Sequence, residues 1–203
     1  MHAWILLVLL LAAAGAVLLI QRLRRRRAQA PALLERTLFD LRVGDIVQLD
    51  GRDWVVEDRL RYEDSGSQWL EYLLRDGADG RWLCVEEDDW LEVSWLDPAP
   101  AGLVRQIRDG GNPRPKTLSW DGLTYELRGR GRASLTSSAR TLNQRVGWCH
   151  YGDYEGPEER VLSVEIWGES DSSGPGEIDV TLGRRVNPAL VGLLPGDGRS
   201  VHR

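Results

Sequence analysis

The stretch WLEYLLRDGADGRWLCVE, residues 69–86, decides the fold. Two aromatic-rich runs flank DGADG, and Gly, Asp and Ala gathered between apolar runs are turn chemistry, so the segment is expected to form a β-hairpin. Successive side chains on a strand point to opposite faces. Leu70, Tyr72 and Leu74 then share one face, while Trp69, Glu71, Leu73 and Arg75 share the other. In the return strand Trp82, Cys84 and Glu86 alternate with Leu83, Val85 and Glu87. Large apolar groups on both faces indicate a sheet that is covered on each side or curled into a barrel.

Outward from this hairpin the chain repeats itself. Upstream, LFDLRVGDIVQLDGRDWVVEDRLRY reads as two strands around a tight Asp50-Gly51 turn, and Asp50-Gly51-x-x-Trp54-x-Val56 recurs as Asp121-Gly122-x-x-Tyr125-x-Leu127. Residues 69–86 also lie without gaps over WCHYGDYEGPEERVLSVE, residues 148–165, with seven identities: Trp69/Trp148, Tyr72/Tyr151, Gly77/Gly156, Arg81/Arg160, Leu83/Leu162, Val85/Val164 and Glu86/Glu165. The expected fold is mainly β: a duplicated antiparallel β unit, about 44–90 and 117–168, forming a sandwich or barrel-like domain over 38–190. Proline and glycine clusters mark a linker at 97–116, within which LVRQIR is a strand or a short helix. GESDSSGPGE, residues 168–177, reads as a mobile loop and 191–203 as a disordered tail.

Ahead of this domain, AWILLVLLLAAAGAVLLI, residues 3–20, carries no charge, and eighteen helical residues extend roughly 27 Å, enough to span a bilayer. Five arginines follow within residues 22–27 and no Lys or Arg precedes the run. Positive flanks stay in the cytoplasm, and a signal peptide would have the opposite charge order. Residues 1–27 are thus expected to be one transmembrane helix with a basic cytoplasmic flank, 28–37 a tether, the amino terminus outside and the β domain cytoplasmic. Two cysteines in that compartment would remain reduced. Residues 38–203 carry 20 basic and 30 acidic side chains, which argues against phosphate-driven nucleic-acid binding.

Several residue groups bear chemistry. Glu86 and Glu165 occupy matching positions in the repeat, either as a carboxylate pair facing a shared cleft or as structural partners of Arg81 and Arg160. Glu86–Asp89 is a run of consecutive acids, unlike the alternate ligand spacing of a calcium loop, and reads as a solvated turn. A Cys-His nucleophile or a zinc site would draw on Cys84, Cys149, His150 and Asp153, although Cys149 and His150 are neighbours on one strand and point to opposite faces. Arg128, Arg130 and Arg132 share a strand face and are expected to form a charge ladder with Glu177 and Asp179. Trp90, Trp95 and Trp167 lie outside the matched positions and are the tryptophan candidates for a binding surface.

The segments LRVGDIVQLDGRDWVVEDRLRY, WLEYLL with RWLCVE, and VLSVEIWGE resemble the DUF4178 family of bacterial domains over about Leu38–Val186. The resemblance implies a β-rich fold and supplies no catalytic residues. The functional expectation is a single-pass protein of the bacterial inner membrane whose β domain binds a protein partner, another membrane protein among the options, or scaffolds a membrane complex. It would do so without catalysis, metal or cofactor. The alternatives are a module binding a small cation or polyamine through acids and tryptophan rings, and a hydrolase using a Cys/His or paired-Glu site.

Overall fold

The computed structural model describes residues 36–138, 147–168 and 176–196. The transmembrane expectation for 3–20, most of the tether, most of the 168–177 loop and most of the tail lie outside these residues. Among the described residues no helix is long and apolar enough to cross a membrane.

Strands β1 (Ile46–Leu49), β2 (Arg52–Asp64), β3 (Ser67–Asp76), β4 (Asp79–Glu87) and β5 (Leu91–Pro98) run as an antiparallel meander. Helix α1 (Ala101–Asp109) follows, so LVRQIR is helical. A second meander has the same order: β6 (Thr117–Trp120), β7 (Leu123–Ser137), β8 (Gly147–Glu155), β9 (Arg160–Trp167) and β10 (Glu177–Arg185). A short β11 (Gly192–Leu194) returns to pair with β1, which corrects the expectation of disorder for this part of 191–203.

The meanders join twice. β5 pairs with β10, and the end of β2 pairs with the end of β7 through Leu60–Ser137 to Glu63–Ser134. Strands β2–β5 and β7–β10 therefore close into an eight-stranded antiparallel ring. Matching turns open each half: Asp50-Gly51 and Asp121-Gly122 all have positive φ, 52° and 74° against 51° and 75°, the geometry of a two-residue type I′ hairpin turn.

A β-bulge in each long strand determines which face its residues serve. In β2 the register shifts between Val56 and Asp58, and in β7 between Leu127 and Gly129. Before the bulge, Trp54, Val56 and Tyr125 pack on the outside of the ring; after it, Leu60, Tyr62, Ala133 and Leu135 face the lumen. The bulge residues form corresponding ion pairs of opposite polarity. Glu57 of β2 meets Arg75 of β3 at 3.0 Å, and Arg128 of β7 meets Glu155 of β8 at 2.8 Å.

Both outer faces are covered. Over the first meander, residues of the entering segment (Leu38, Leu41) and Val186 pack on Leu70, Tyr72, Leu74, Leu83 and Val85, and the Tyr72 hydroxyl donates to the Leu38 carbonyl at 2.8 Å. Over the second, Leu103 and Ile107 of α1 pack with Leu118, Tyr154, Leu162 and Val164. Each meander thus buries its alternate apolar residues outward and turns its other face to the lumen.

This register corrects the gapless superposition of 69–86 on 148–165. Immediately past the bulges, Arg59 pairs with Tyr72 and Arg130 pairs with Gly152, so Tyr72 corresponds to Gly152 rather than Tyr151. Between the corresponding pairs Arg75–Gly80 and Glu155–Val161 lie four residues in the first hairpin and five in the second. The gapless match is therefore one residue out on β8, which reverses its side chains, and two residues out on β9, which leaves Glu165 facing inward like Glu86. Trp69 accordingly faces the lumen while Trp148 is exposed beneath the Arg132 guanidinium, 4.7 Å from its ring centre.

The expected ladder of Arg128, Arg130 and Arg132 with Glu177 and Asp179 is likewise corrected. β10 pairs with β5 and β9, and β7 pairs with β2, β6 and β8. The bulge also separates Arg128 from the other two: it borders the lumen, and Arg132 lies outside on Trp148.

Candidate functional site

An eight-stranded ring is just wide enough for side chains to fill it or for one small ligand to occupy it. Here the lumen holds two cavities, of about 330 and 410 Å³. The first lies toward the end where β3 begins and β4 ends, and Ser67, Glu86, Glu92 and Arg185 border it. The second lies toward the opposite end and is more apolar, with Leu60, Leu73, Trp82, Leu135 and Trp167 in its wall. Glu71, Ser163 and Glu165 line both, which places two carboxylates at the waist of the lumen.

Strand alternation places these groups there. Trp69, Glu71 and Leu73 are the inward residues of β3, Tyr151 and Asp153 those of β8, and Ser163, Glu165 and Trp167 those of β9. The Glu71 carboxylate accepts from the Tyr62 hydroxyl at 3.4 Å, and Asp153 accepts from the Ser163 hydroxyl at 2.7 Å. Tyr62 and Trp69 stack, centroids 5.0 Å apart and planes 6° from parallel, and Tyr151 stands edge-on to Trp69 at 5.2 Å. The Tyr151 hydroxyl donates to Asp64 at 2.9 Å. Gly131 makes room for that contact, because a Cβ there would come within 2.8 Å of the Tyr151 ring.

The enclosure shapes the electrostatics. Burial pushes the Glu71 carboxyl well above the usual carboxylate range, and the charges of Glu165 and Asp153 add to the shift. Burial raises Asp153 to about 6, against the lowering effect of its Ser163 hydrogen bond. Each carboxyl retains some accessible surface, but that surface borders a cavity inside the ring. Glu86 sits at the exposed rim and is raised by partial desolvation and by Glu92 and Asp88. Two arginines border the first cavity and both are engaged: Arg128 with Glu155, and Arg185 with Glu92 at 2.8 Å and with Glu155.

The structure redistributes the residues singled out from sequence. Glu86 and Glu165 do line one cavity, but they are not equivalent: Glu86 pairs with Trp69 near a strand end, whereas Glu165 pairs with Tyr151 in mid-strand. Trp95 is a core residue, 3% exposed and edge-on to Trp54, with Arg81 over its ring, so it offers no binding surface. Trp90 is 67% exposed and donates to Glu92 at 2.6 Å outside the first cavity, while Trp167 is buried in the wall of the second. Glu87–Asp89 are exposed, as a solvated turn requires.

His150 is exposed on the outer face of β8, and Cys84 lines the lumen, so the sheet separates the two and no Cys84-His150 pairing forms. The thiols are poor nucleophiles: burial, with neighbouring carboxylates, raises Cys84 well above its ordinary value and Cys149 to about 12. Among the described residues no group of three or more His, Cys, Asp or Glu side chains is arranged to hold a metal ion.

Alternation puts Glu71 on the mixed face of β3 and the sequence offers Asp153 only beside Cys149 and His150, so nothing local shows that the two acids meet across the ring. The bulges at Glu57 and Arg128, which turn the strand ends inward, are the missing signal.

Comparison with known proteins agrees with the resemblance noted above. An uncharacterised protein of Aquifex aeolicus is 24% identical over 173 residues, covering 82% of this chain and 90% of the relative. An uncharacterised protein of Mycobacterium tuberculosis is 32% identical over 131 residues, 61% of this chain and 59% of the relative, so the match spans about three fifths of that protein. No solved structure matches the chain. The model of the domain of unknown function DUF4178 matches residues 42–188, and the chain belongs to the DUF4178 family.

Proposed function

We propose that this protein is a membrane-tethered binding module whose ring lumen takes up a small organic cation, without catalysis. The observation that carries the reading is the 330 Å³ cavity itself, large enough for a small ligand and lined by Glu71, Asp153 and Glu165 together with Trp69 and Tyr151. Burying the Glu71 and Asp153 carboxylates in a lumen of low dielectric constant is costly unless a cation compensates them. A cation entering the lumen supplies that compensation. The raised thiols of Cys84 and Cys149 and the outward placement of His150 support binding over hydrolysis.

The test is a thermal-shift and calorimetric screen of the purified chain in mild detergent, comparing small organic cations with neutral molecules of the same shape. Stabilisation confined to the cations, and lost in Glu71→Gln, supports the reading. Equal effects of the neutral analogues, or no binding by any cation, overturns it. The tether rests on residues 3–20 and the arginines after them. Alkaline phosphatase fused to the carboxy terminus is expected to be inactive in cells, and an active fusion would place the domain outside the cytoplasm.

A further inference from the structure

Resting on that reading, we infer that the lumen ligand carries N–H groups, as a primary amine or guanidinium on a short apolar chain, and that it displaces a proton from the waist on entry.

The groups facing the cavity come from every strand of the ring except β2: Glu71 and Trp69 from β3, Cys84 and Glu86 from β4, Glu92 from β5, Arg128 from β7, Tyr151 and Asp153 from β8, Glu165 from β9 and Arg185 from β10. Tyr62 of β2 reaches Glu71 from the second cavity. Arg128 and Arg185 are held by Glu155 and Glu92. Glu71 and Asp153 have hydroxyl partners, and among the described residues no arginine or lysine pairs with either. Both acids are therefore presented to the cavity as acceptors whose compensating cation does not come from the described residues.

The aromatic groups distinguish between classes of cation. A quaternary ammonium has no N–H and is recognised by open ring faces. Here a face of Tyr62 and a face of Trp69 lie against each other, and Tyr151 abuts Trp69 edge-on. The rings are packed together instead of forming a cage, which leaves carboxylate acceptors as the recognition elements. A primary ammonium or guanidinium can donate to Glu71 and Asp153 together, and Leu96 and Val161 provide an apolar wall for its carbon chain.

Proton release follows from the enclosure. Without a cation, burial favours the neutral carboxyl at Glu71. An ammonium beside it favours the carboxylate, so the proton passes to solvent while the ligand keeps its own, and charge in the lumen is conserved.

The experiment is isothermal titration of the full chain in mild detergent at pH 7, with butylammonium, butylguanidinium, tetramethylammonium and butanol, each in phosphate and in MOPS, which carries no primary amine, to count protons. Butylammonium or butylguanidinium is expected to bind at least about tenfold more tightly than tetramethylammonium. Its heat should differ between the buffers, reporting proton release, and that difference should vanish in Glu71→Gln. Asp153→Asn, which can keep the Ser163 hydrogen bond, should weaken binding while the protein remains folded by circular dichroism. Equal affinity for tetramethylammonium overturns the N–H requirement and leaves the cation reading standing. Tight amine binding with no proton released overturns the exchange. Equal affinity for butanol, or no binding of any cation, overturns both the inference and the reading on which it rests.

Discussion

At the scale of residues, Asp153 links the site to stability. Its folded-state value is about 6 against an ordinary 3.8, so over this interval the folded protein holds a proton that the unfolded chain has released. The stabilisation from this group is complete below about pH 4 and is lost as pH rises through 6, a cost of about 3 kcal/mol at neutral pH. Asp153→Asn is therefore expected to raise the melting temperature of the ligand-free protein at pH 7 by several degrees and to flatten its pH dependence between 4 and 6. Differential scanning calorimetry across that range checks this, and unchanged melting at pH 7 would show that Asp153 is compensated. The residue was legible in sequence only as an acid near Cys149. Its inward direction depends on pairing with Ser163 across β8 and β9, a contact between strands. Trp95 shows the converse: its type suggested a binding ring, but its parity on β5 places it against Trp54 in the outer core.

At the scale of elements, the bulges and close strand approaches carry the design. At Gly183, in the seam between β10 and β5, an added Cβ would collide with the Trp95 carbonyl oxygen, a backbone atom that cannot rotate away. Gly183→Ala should destabilise the protein by roughly 1–3 kcal/mol, measured by urea denaturation. Full stability would mean that the seam is looser than its geometry. The two I′ turns make a paired prediction. Gly51→Ala and Gly122→Ala each place a side chain at positive φ with open space around it, so each should cost about 1 kcal/mol by the same measurement, and the costs should be similar. These turns were legible because Asp-Gly between alternating apolar residues has one favoured geometry. The register of the second hairpin was not, since seven identities favoured a gapless match and turn length is set by how the strand ends meet.

At the scale of the whole molecule, closure joins the halves into one cooperative unit. The outer face of the first meander is covered in part by Val186 from beyond β10, and β11 pairs with β1, while the inner face and both seams of each meander need the other half. A fragment ending at Pro98 should therefore form no folded monomer, seen as poor amide dispersion by NMR and the absence of near-ultraviolet circular dichroism. A well-dispersed monomeric fragment would show that the ring is not required. The same closure creates the lumen, because carboxylates from β3, β8 and β9 meet only when the ring is shut.

The sequence by itself determined the β class, the two-fold repetition, the hairpins and their turns, since these follow from local alternation and from Gly and Asp at fixed offsets. It also carried the apolar run and arginine flank on which the tether rests. Tertiary structure decided which face of each strand is inside. A bulge at Glu57 or Arg128 reverses side-chain directions along the rest of its strand, and one additional residue in a turn shifts the register of the strand that follows, neither altering local propensity. WLEYLLRDGADGRWLCVE is a hairpin on either reading, but only ring closure places Trp69, Glu71, Cys84 and Glu86 around a shared cavity. Period-two alternation assigns a strand two faces, and long-range pairing determines which of them becomes the lumen.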